Sequence, residues 1–135
     1  GIYVDAVDAD PERVSWLASR TEFGTDYHHI GLALRGGRLF GVVHKTEAMG
    51  VSLVPTGRWV HVAATYDGIT LRVYQEGAEL AYFDLGWPVA ADETPFTLGA
   101  KVADHTASGF FQGAIDEVRL YDKALSSTEI AQLAK

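Results

Sequence analysis

The chain has 135 residues, of which 18 are acidic and 11 basic, giving a formal net charge of −7 at pH 7. This length suits one domain, residues 1–135, and the acidic balance without clustered Lys or Arg excludes nucleic acid as a partner. Cysteine is absent, which excludes disulfides and thiolate chemistry, and no apolar run approaches the roughly 18 residues of a membrane helix. We therefore expect no membrane insertion.

Short strands dominate the first part of the chain. Branched and aromatic residues are concentrated in four segments, separated by polar or glycine-containing breaks: 2–6, 13–19, 28–34 and 38–44. The last break consists only of Arg35, Gly36 and Gly37. It predicts a hairpin whose glycines adopt positive φ.

Further short strands follow without an intervening helical pattern, at 59–66, 70–75, 80–84, 96–101 and 110–121. This spacing predicts an all-β, antiparallel β-sandwich and argues against a parallel α/β sheet. The residues that we expect in the buried core are Val60, Val62, Leu71, Val73, Phe96, Leu98, Val118 and Leu120.

A short helix is predicted only at the C-terminus. Ser126 and Glu129 have the spacing of a capping box, in which each side chain bonds the backbone of the other residue. Ile130, Leu133 and Ala134 then form an apolar stripe at helical spacing.

His61 lies in an alternating segment, WVHVAATY, with apolar residues on both of its faces. Such a pattern is typical of a central strand covered on both sides, so we interpret His61 as a hydrogen-bonded core residue and not as a catalyst. Asp67 and Gly68 then predict the turn into the next strand.

Two motifs in this half of the chain carry a family resemblance. GRWVHVAATYDG with the following LRVYQEG, and later FFQGAIDEVRLYDKALSSTEI, resemble the LamG-like jelly-roll domains of the concanavalin A-like lectin/glucanase superfamily. The matching positions are Trp59, His61, Val62, Ala63, Thr65, Tyr66, Asp67, Gly68, Tyr74, Gly77, Gly113, Ile115, Asp116, Glu117, Val118, Arg119, Tyr121, Ala124, Leu125 and Ser126. The resemblance covers about the last 80 residues and implies a jelly-roll sandwich.

The chain departs from the family pattern at two places. Gln75 and Glu76 replace the usual aliphatic residue and Asp or Asn. Family members generally have two more strands before the one that GIYVDA resembles, so the resemblance implies an N-terminally incomplete domain. We expect an open sheet edge beside AIDEVRLY, covered by upstream residues or by self-association with a second chain.

Glycoside hydrolases of this superfamily carry carboxylates at alternating positions of one strand, and that run is absent here. Asp116 and Glu117 are adjacent, so on a strand they point to opposite faces. There is no Gly-x-Ser-x-Gly nucleophile motif either. We expect no catalytic residues.

Potential metal ligands occur in three places. Asp5, Asp8, Asp10 and Glu12 lack the order of a calcium loop and predict a turn. The adjacent His28 and His29 would diverge on a strand and do not predict a zinc site. The resemblance implies a structural calcium at Asp116, whereas the alternative is that this carboxylate accepts backbone hydrogen bonds at a bend.

Sugar binding requires an exposed aromatic ring beside polar groups, because a pyranose has one apolar face and hydroxyl edges. The aromatic residues that strand alternation does not account for are Tyr27, Trp87 and Phe110, our predicted ligand-binding residues. Trp87 lies in the loop sequence DLGWPVAADE. The alternative is that its ring plugs one end of the sandwich.

Together these features predict a non-catalytic carbohydrate-binding module of an extracellular or cell-surface protein, such as a bacterial secreted protein. The first alternative is a structural or protein-interaction module of an adhesin-like protein. A glycoside hydrolase-type enzyme is the third hypothesis. Binding to a glycan panel distinguishes the carbohydrate-binding module from the protein-interaction module. The enzyme hypothesis requires turnover of a polysaccharide.

Overall fold

The computed structural model describes residues 1–21, 28–86, 96–103, 106–121 and 123–135. Strands dominate these ranges, and one short helix lies at the C-terminus. The elements are β1 (Ile2–Val4), β2 (Val14–Thr21), β3 (His28–Arg35), β4 (Arg38–His44), β5 (Thr46–Leu53), β6 (Trp59–Val60), β7 (Val62–Tyr66), β8 (Thr70–Gln75), β9 (Ala78–Asp84), β10 (Thr97–Leu98), β11 (Lys101–Ala103), β12 (Thr106–Ser108), β13 (Gly113–Ile115) and α1 (Ser127–Leu133).

One layer is a five-stranded antiparallel sheet in the order β10-β2-β3-β4-β5. The predicted hairpin between β3 and β4 is confirmed, with Arg35 paired to Arg38 across a two-residue turn. Gly36 and Gly37 have φ of 55° and 81°, and positive φ at both positions is what this tight turn requires.

The opposing strands form two three-stranded groups, β13-β1-β6 and β7-β8-β9. β6 ends at Val60 and β7 begins at Val62, so a single extended stretch changes partner at His61. Before His61 this stretch pairs with β1, and after it with β8. A smaller hairpin joins β11 and β12.

The main core lies between these layers. Gly41 of β4 faces β8 so closely that an added Cβ would lie 2.9 Å from a methyl group of Val73. The buried residues of this core are Ile2, Val4, Leu17, Leu34, Leu39, Val43, Ala48, Val54, Val60, Leu71, Val73 and Leu85. Two antiparallel layers with a shared apolar core confirm the predicted all-β sandwich.

Two smaller clusters lie outside this core. Trp16, Ala33, Phe40 and Val42 are buried on the other face of the five-stranded sheet. On the far side of β8, Tyr74 packs with Leu125 and with Ile130 of α1. The predicted capping box is confirmed, because Ser126 accepts from the Glu129 N–H and Glu129 accepts from the Ser126 N–H.

The strand prediction was wrong at three places, one of which is β12, a short strand that was missed. β5 was missed, because TEAMGVSL interrupts its apolar residues with Glu, Gly and Ser. The predicted strand 110–121 contains only one short strand, β13. After β13 the ladder ends at Asp116, and Glu117 adopts a φ of 51°, which breaks the extended conformation.

Three of the predicted core residues are exposed. Val60, Leu71 and Val73 are fully buried as predicted, and Val62 and Phe96 are half-buried. Leu98, Val118 and Leu120, however, retain 50%, 44% and 62% of their surface. Alternation predicts which residues share a face, whereas burial also requires a second layer over that face.

The prediction that the strand around His61 is central was also wrong. β7 lies at the edge of its sheet, and in the described part of the chain it pairs only with β8. The opposite edge of β7 borders a cleft. None of the helices within the described residues is long and apolar enough to cross a membrane.

Candidate functional site

Two aromatic side chains meet on the outer face of the β1–β6 pair. Tyr3 lies directly opposite Trp59, and their rings contact edge to face with centroids 5.8 Å apart and planes at 65°. Their neighbours Ile2 and Val60 point into the core, so alternation directs Tyr3 and Trp59 outwards. Trp59 retains 49% of its surface, which leaves part of the indole open to a ligand.

An ion pair lies next to this ring pair. The Arg58 guanidinium donates to the Glu76 carboxylate at 2.9 Å and more weakly to the Trp59 carbonyl at 3.4 Å. Both side chains remain largely exposed. An apolar ring surface with a donor and an acceptor at its border can stack against one face of a sugar and bond its hydroxyls.

His61 follows on the same face. Its Nδ1 is buried and has no hydrogen-bond partner among the described residues, which corrects the prediction of a hydrogen-bonded histidine at this atom. Burial lowers the pKa of His61 below its ordinary value, helped by the Gly1 amino group, while Glu76 opposes the shift. A neutral imidazole beside the cleft follows from this environment.

The three predicted ligand-binding residues are only partly described. Phe110 is exposed, and its role in ligand binding stays a prediction. It follows Gly109, whose carbonyl accepts from the Trp16 N–H at 2.8 Å, so it lies beside the five-stranded sheet. Tyr27 and Trp87 lie outside the described residues.

Asp116 is exposed, and its Oδ1 accepts from the neighbouring Glu117 N–H at 2.8 Å. This is the backbone bond that the sequence left as the alternative to calcium. Among the residues that the structure describes, no three His, Asp or Glu side chains gather at one point. Calcium at Asp116 therefore stays a prediction.

The acidic segment near the N-terminus forms a turn, as predicted. Asp8 accepts from the Asp10 N–H and Asp10 accepts from the Glu12 N–H, both at 2.9 Å. Asp8 also binds Arg13 at 2.9 Å. These carboxylates stabilise the chain locally through turn bonds and one ion pair.

Trp59 and Tyr3 were not among the predicted ligand-binding residues. Alternation in WVHVAATY places Trp59 and Val60 on opposite faces of the strand. This was the signal in the sequence that the indole lies on the face away from Val60. Nothing in the sequence shows that Tyr3, more than 50 positions away, is its cross-strand partner. The ring pair therefore emerges only from the register of β1 with β6.

The fold is similar to two solved structures in particular. The Ruminococcus gnavus IT-sialidase CBM40 bound to alpha2,3 sialyllactose matches with a TM-score of 0.80 and 17% identity, over 99% of this chain and 79% of that chain. The native heptameric SAP-like pentraxin from Limulus polyphemus matches with a TM-score of 0.70 and 16% identity, over 99% and 66%. At these identities the likeness shows the fold alone.

Sequence similarity extends to the mouse protein Pappalysin-1, which is 35% identical over 77 residues. The match covers 55% of this chain but only 5% of that relative's length. A family match is much broader, because residues 2–131 fit Laminin_G_3, described as the concanavalin A-like lectin/glucanases superfamily. That match spans nearly the whole jelly-roll sandwich, and the chain therefore belongs to the Laminin_G_3 family.

Proposed function

We propose that the chain is a non-catalytic carbohydrate-binding module of an extracellular or cell-surface protein, and that Trp59 and Tyr3 contact the sugar. The observation that carries the proposal is an exposed ring pair bordered by the Arg58–Glu76 ion pair. The indole offers a flat apolar surface for the pyranose face, and the two charged groups offer bonds to hydroxyls at its edge.

The placement of carboxylates supports a binding role without catalysis. Asp116 and Glu117 are neighbours in the chain, and the Asp116 carboxylate accepts from the Glu117 backbone. A retaining glycosidase needs two carboxyl groups about 5 Å apart across the scissile bond, one acting as acid and the other as nucleophile. Here the Asp116 carboxylate is instead engaged with the backbone, and the Glu117 carboxylate lies 3.8 Å from the Arg119 guanidinium.

Fold similarity adds support from a second direction. The structure with the TM-score of 0.80 is a CBM40 bound to sialyllactose, so this arrangement of strands is compatible with glycan binding in another protein. A shared fold alone does not imply a shared function, which depends on the residues of the binding site. In this chain the Tyr3–Trp59 ring pair is the proposed site. Glycans at cell surfaces are then the natural ligands, which favours the extracellular location.

A glycan array carrying neutral and sialylated oligosaccharides tests the proposal. We expect dose-dependent binding by the wild-type chain and a loss of about tenfold or more with Trp59→Ala, equivalent to about 1.4 kcal/mol. The matched control is Tyr82→Ala, because Tyr82 is an exposed aromatic on β9, in the other three-stranded group. This control should keep its affinity.

Two further variants, Trp87→Ala and Phe110→Ala, test the ligand residues predicted from sequence. If either of them abolishes binding while Trp59→Ala does not, the sugar lies elsewhere on the sandwich. No binding by a folded wild-type chain to any glycan would contradict the proposal and would favour the protein-interaction module. Turnover of a polysaccharide would overturn the non-catalytic assignment.

A further inference from the structure

Glu76 has an uncommon backbone conformation for its residue type. It forms the two-residue turn between β8 and β9 together with Gly77, and their φ values are 52° and 81°. Turns with positive φ at both positions favour Asn, Asp or Gly at the first of them, because other residues rarely adopt this conformation. The turn therefore carries a longer acidic side chain than its geometry requires.

The turn is held from two sides. The Glu76 N–H donates to the His61 carbonyl at 2.8 Å, which joins the turn to the residue before β7. On the other side α1 packs directly on Gly77, where an added Cβ would lie 3.0 Å from the Ala131 Cα and 3.3 Å from the Ala134 Cβ. These contacts fix the backbone from which the Glu76 side chain extends.

The Glu76 side chain reaches the cation beside the exposed indole. The Arg58 guanidinium lies 2.9 Å from the Glu76 carboxylate and 3.4 Å from the Trp59 carbonyl. The ion pair thus leaves no net charge at this border of the ring pair. An anionic ligand would have to compete with Glu76 for the guanidinium, and it would gain little from a cation that already has a partner.

Two further carboxylates lie on the outer side of the sheet that carries the ring pair. Asp5 follows Tyr3 by two positions, and alternation along β1 directs both side chains outwards. Asp116 is exposed next to Gly1, whose amino group is engaged with the Asp116 carbonyl at 2.8 Å. Carboxylate oxygens accept hydrogen bonds from sugar hydroxyls, whereas they repel another carboxylate.

We infer that Glu76 determines the specificity of the Tyr3–Trp59 site. By holding Arg58, it makes the site select neutral pyranoses, which present hydroxyl groups, over sugars that carry a carboxylate. This inference rests on the proposed function, because it names the class of sugar bound at that same ring pair. Stacking on the indole is open to both classes, so the discrimination comes from the charged groups at the border.

Matched pairs of sugars test the inference. Each pair consists of an oligosaccharide that ends in glucose, galactose or mannose and the same oligosaccharide ending in the corresponding uronic acid, so the two ligands differ only at C6. Titration calorimetry at fixed ionic strength gives both affinities. We expect the wild-type chain to bind the neutral member about threefold or more tightly than the uronic acid.

Glu76→Gln should reverse this preference. The amide keeps the length of the side chain and leaves the backbone bond to His61 in place, but it no longer neutralises Arg58. We expect the affinity for the uronic acid to rise about fivefold and the affinity for the neutral member to change less than about twofold. The retained neutral binding also reports that the variant is folded.

Two further variants separate the role of Arg58 from a general effect of charge. In the double variant Arg58→Gln with Glu76→Gln the gain in uronic acid binding should disappear, because the responsible cation is missing. Glu79→Gln is the matched control, since it removes one carboxylate from a similarly exposed ion pair, with Arg72 at 3.0 Å. That pair joins β8 to β9, and this variant should keep the preference of the wild-type chain.

Four results would overturn the inference and leave the proposed function intact. The first two are equal or tighter binding of the uronic acids by the wild-type chain, and an unchanged preference in Glu76→Gln. The third is the same gain in Glu79→Gln. The fourth is a gain that persists in the double variant, since another cation, such as Arg119, would then be responsible.

The failure of the proposed function itself gives a different result. A folded wild-type chain would then bind neither member of any pair and no other glycan of the array. Binding confined to the sialylated oligosaccharides of that array would overturn the inference alone, because the site would then require the carboxylate that Glu76 is inferred to exclude.

Discussion

Arg35 on β3 and Glu47 on β5 form a two-pronged ion pair across the intervening strand β4. Nη2 lies 2.7 Å from Oε2, and Nη1 lies 3.2 Å from Oε1. The guanidinium also lies over the Phe40 ring, with Cζ 4.6 Å from the ring centroid. One side chain thus connects three strands through a parallel pair of bonds and a ring contact.

Arg35→Lys should destabilise the fold, because an ammonium group makes neither the forked pair nor the planar contact with Phe40. The expected loss in the free energy of unfolding is about 0.5 to 1 kcal/mol, since both side chains are partly exposed. Urea denaturation measures it. Arg119→Lys is the control, because Arg119 is exposed and its distance to Glu117 is 3.8 Å. Equal stability of the two variants would contradict the prediction.

Ser126→Ala should remove the cap of α1 and cost about 1 kcal/mol. The helix has only seven residues, and it positions Ile130 against Tyr74, so loss of the cap should also loosen this contact. Thermal and urea unfolding give the stability, and the NMR signals of the Tyr74 ring follow the contact. Ser127→Ala, one residue further along the same helix, should have almost no effect. A similar loss in both variants would mean that the hydroxyl of Ser126 does not act as a cap.

Leu71→Ala and Leu120→Ala should differ strongly, although each removes the same atoms. Leu71 is fully buried in the main core, so truncation leaves a cavity and should cost about 2 to 5 kcal/mol. Leu120 keeps 62% of its surface, and we expect a change within about 0.5 kcal/mol in this chain. Comparable losses in urea denaturation would show that the segment 115–121 is packed in solution.

His61 should make the stability of the fold depend on pH. Burial lowers the pKa of folded His61, so the unfolded chain takes up the proton first as the pH falls. The stabilisation is complete above the ordinary histidine pKa of about 6.5 and is lost as the pH falls from there through the folded pKa. His61→Gln should flatten this dependence between pH 7 and pH 5 in urea denaturation. An NMR titration midpoint of His61 above 6.5 would refute the direction of the shift.

The sequence by itself determined the local structures. Gly36 and Gly37 predicted the β3–β4 hairpin, and Ser126 with Glu129 predicted the start of α1. Alternation assigned Val60, Leu71 and Val73 correctly to the core. Turns, caps and strand faces depend on residues within a few positions of each other, so their chemistry can be recognised without knowing the rest of the fold.

Only the tertiary structure decided which strands are neighbours. The motif around Val62 does not indicate that β7 is an edge strand. It also does not identify Tyr3 as the cross-strand partner of Trp59. Leu120 has the sequence context of a core residue, yet it is exposed and, among the described residues, belongs to no strand. Strand pairing joins distant segments, and both burial and the exposed ring pair depend on that pairing.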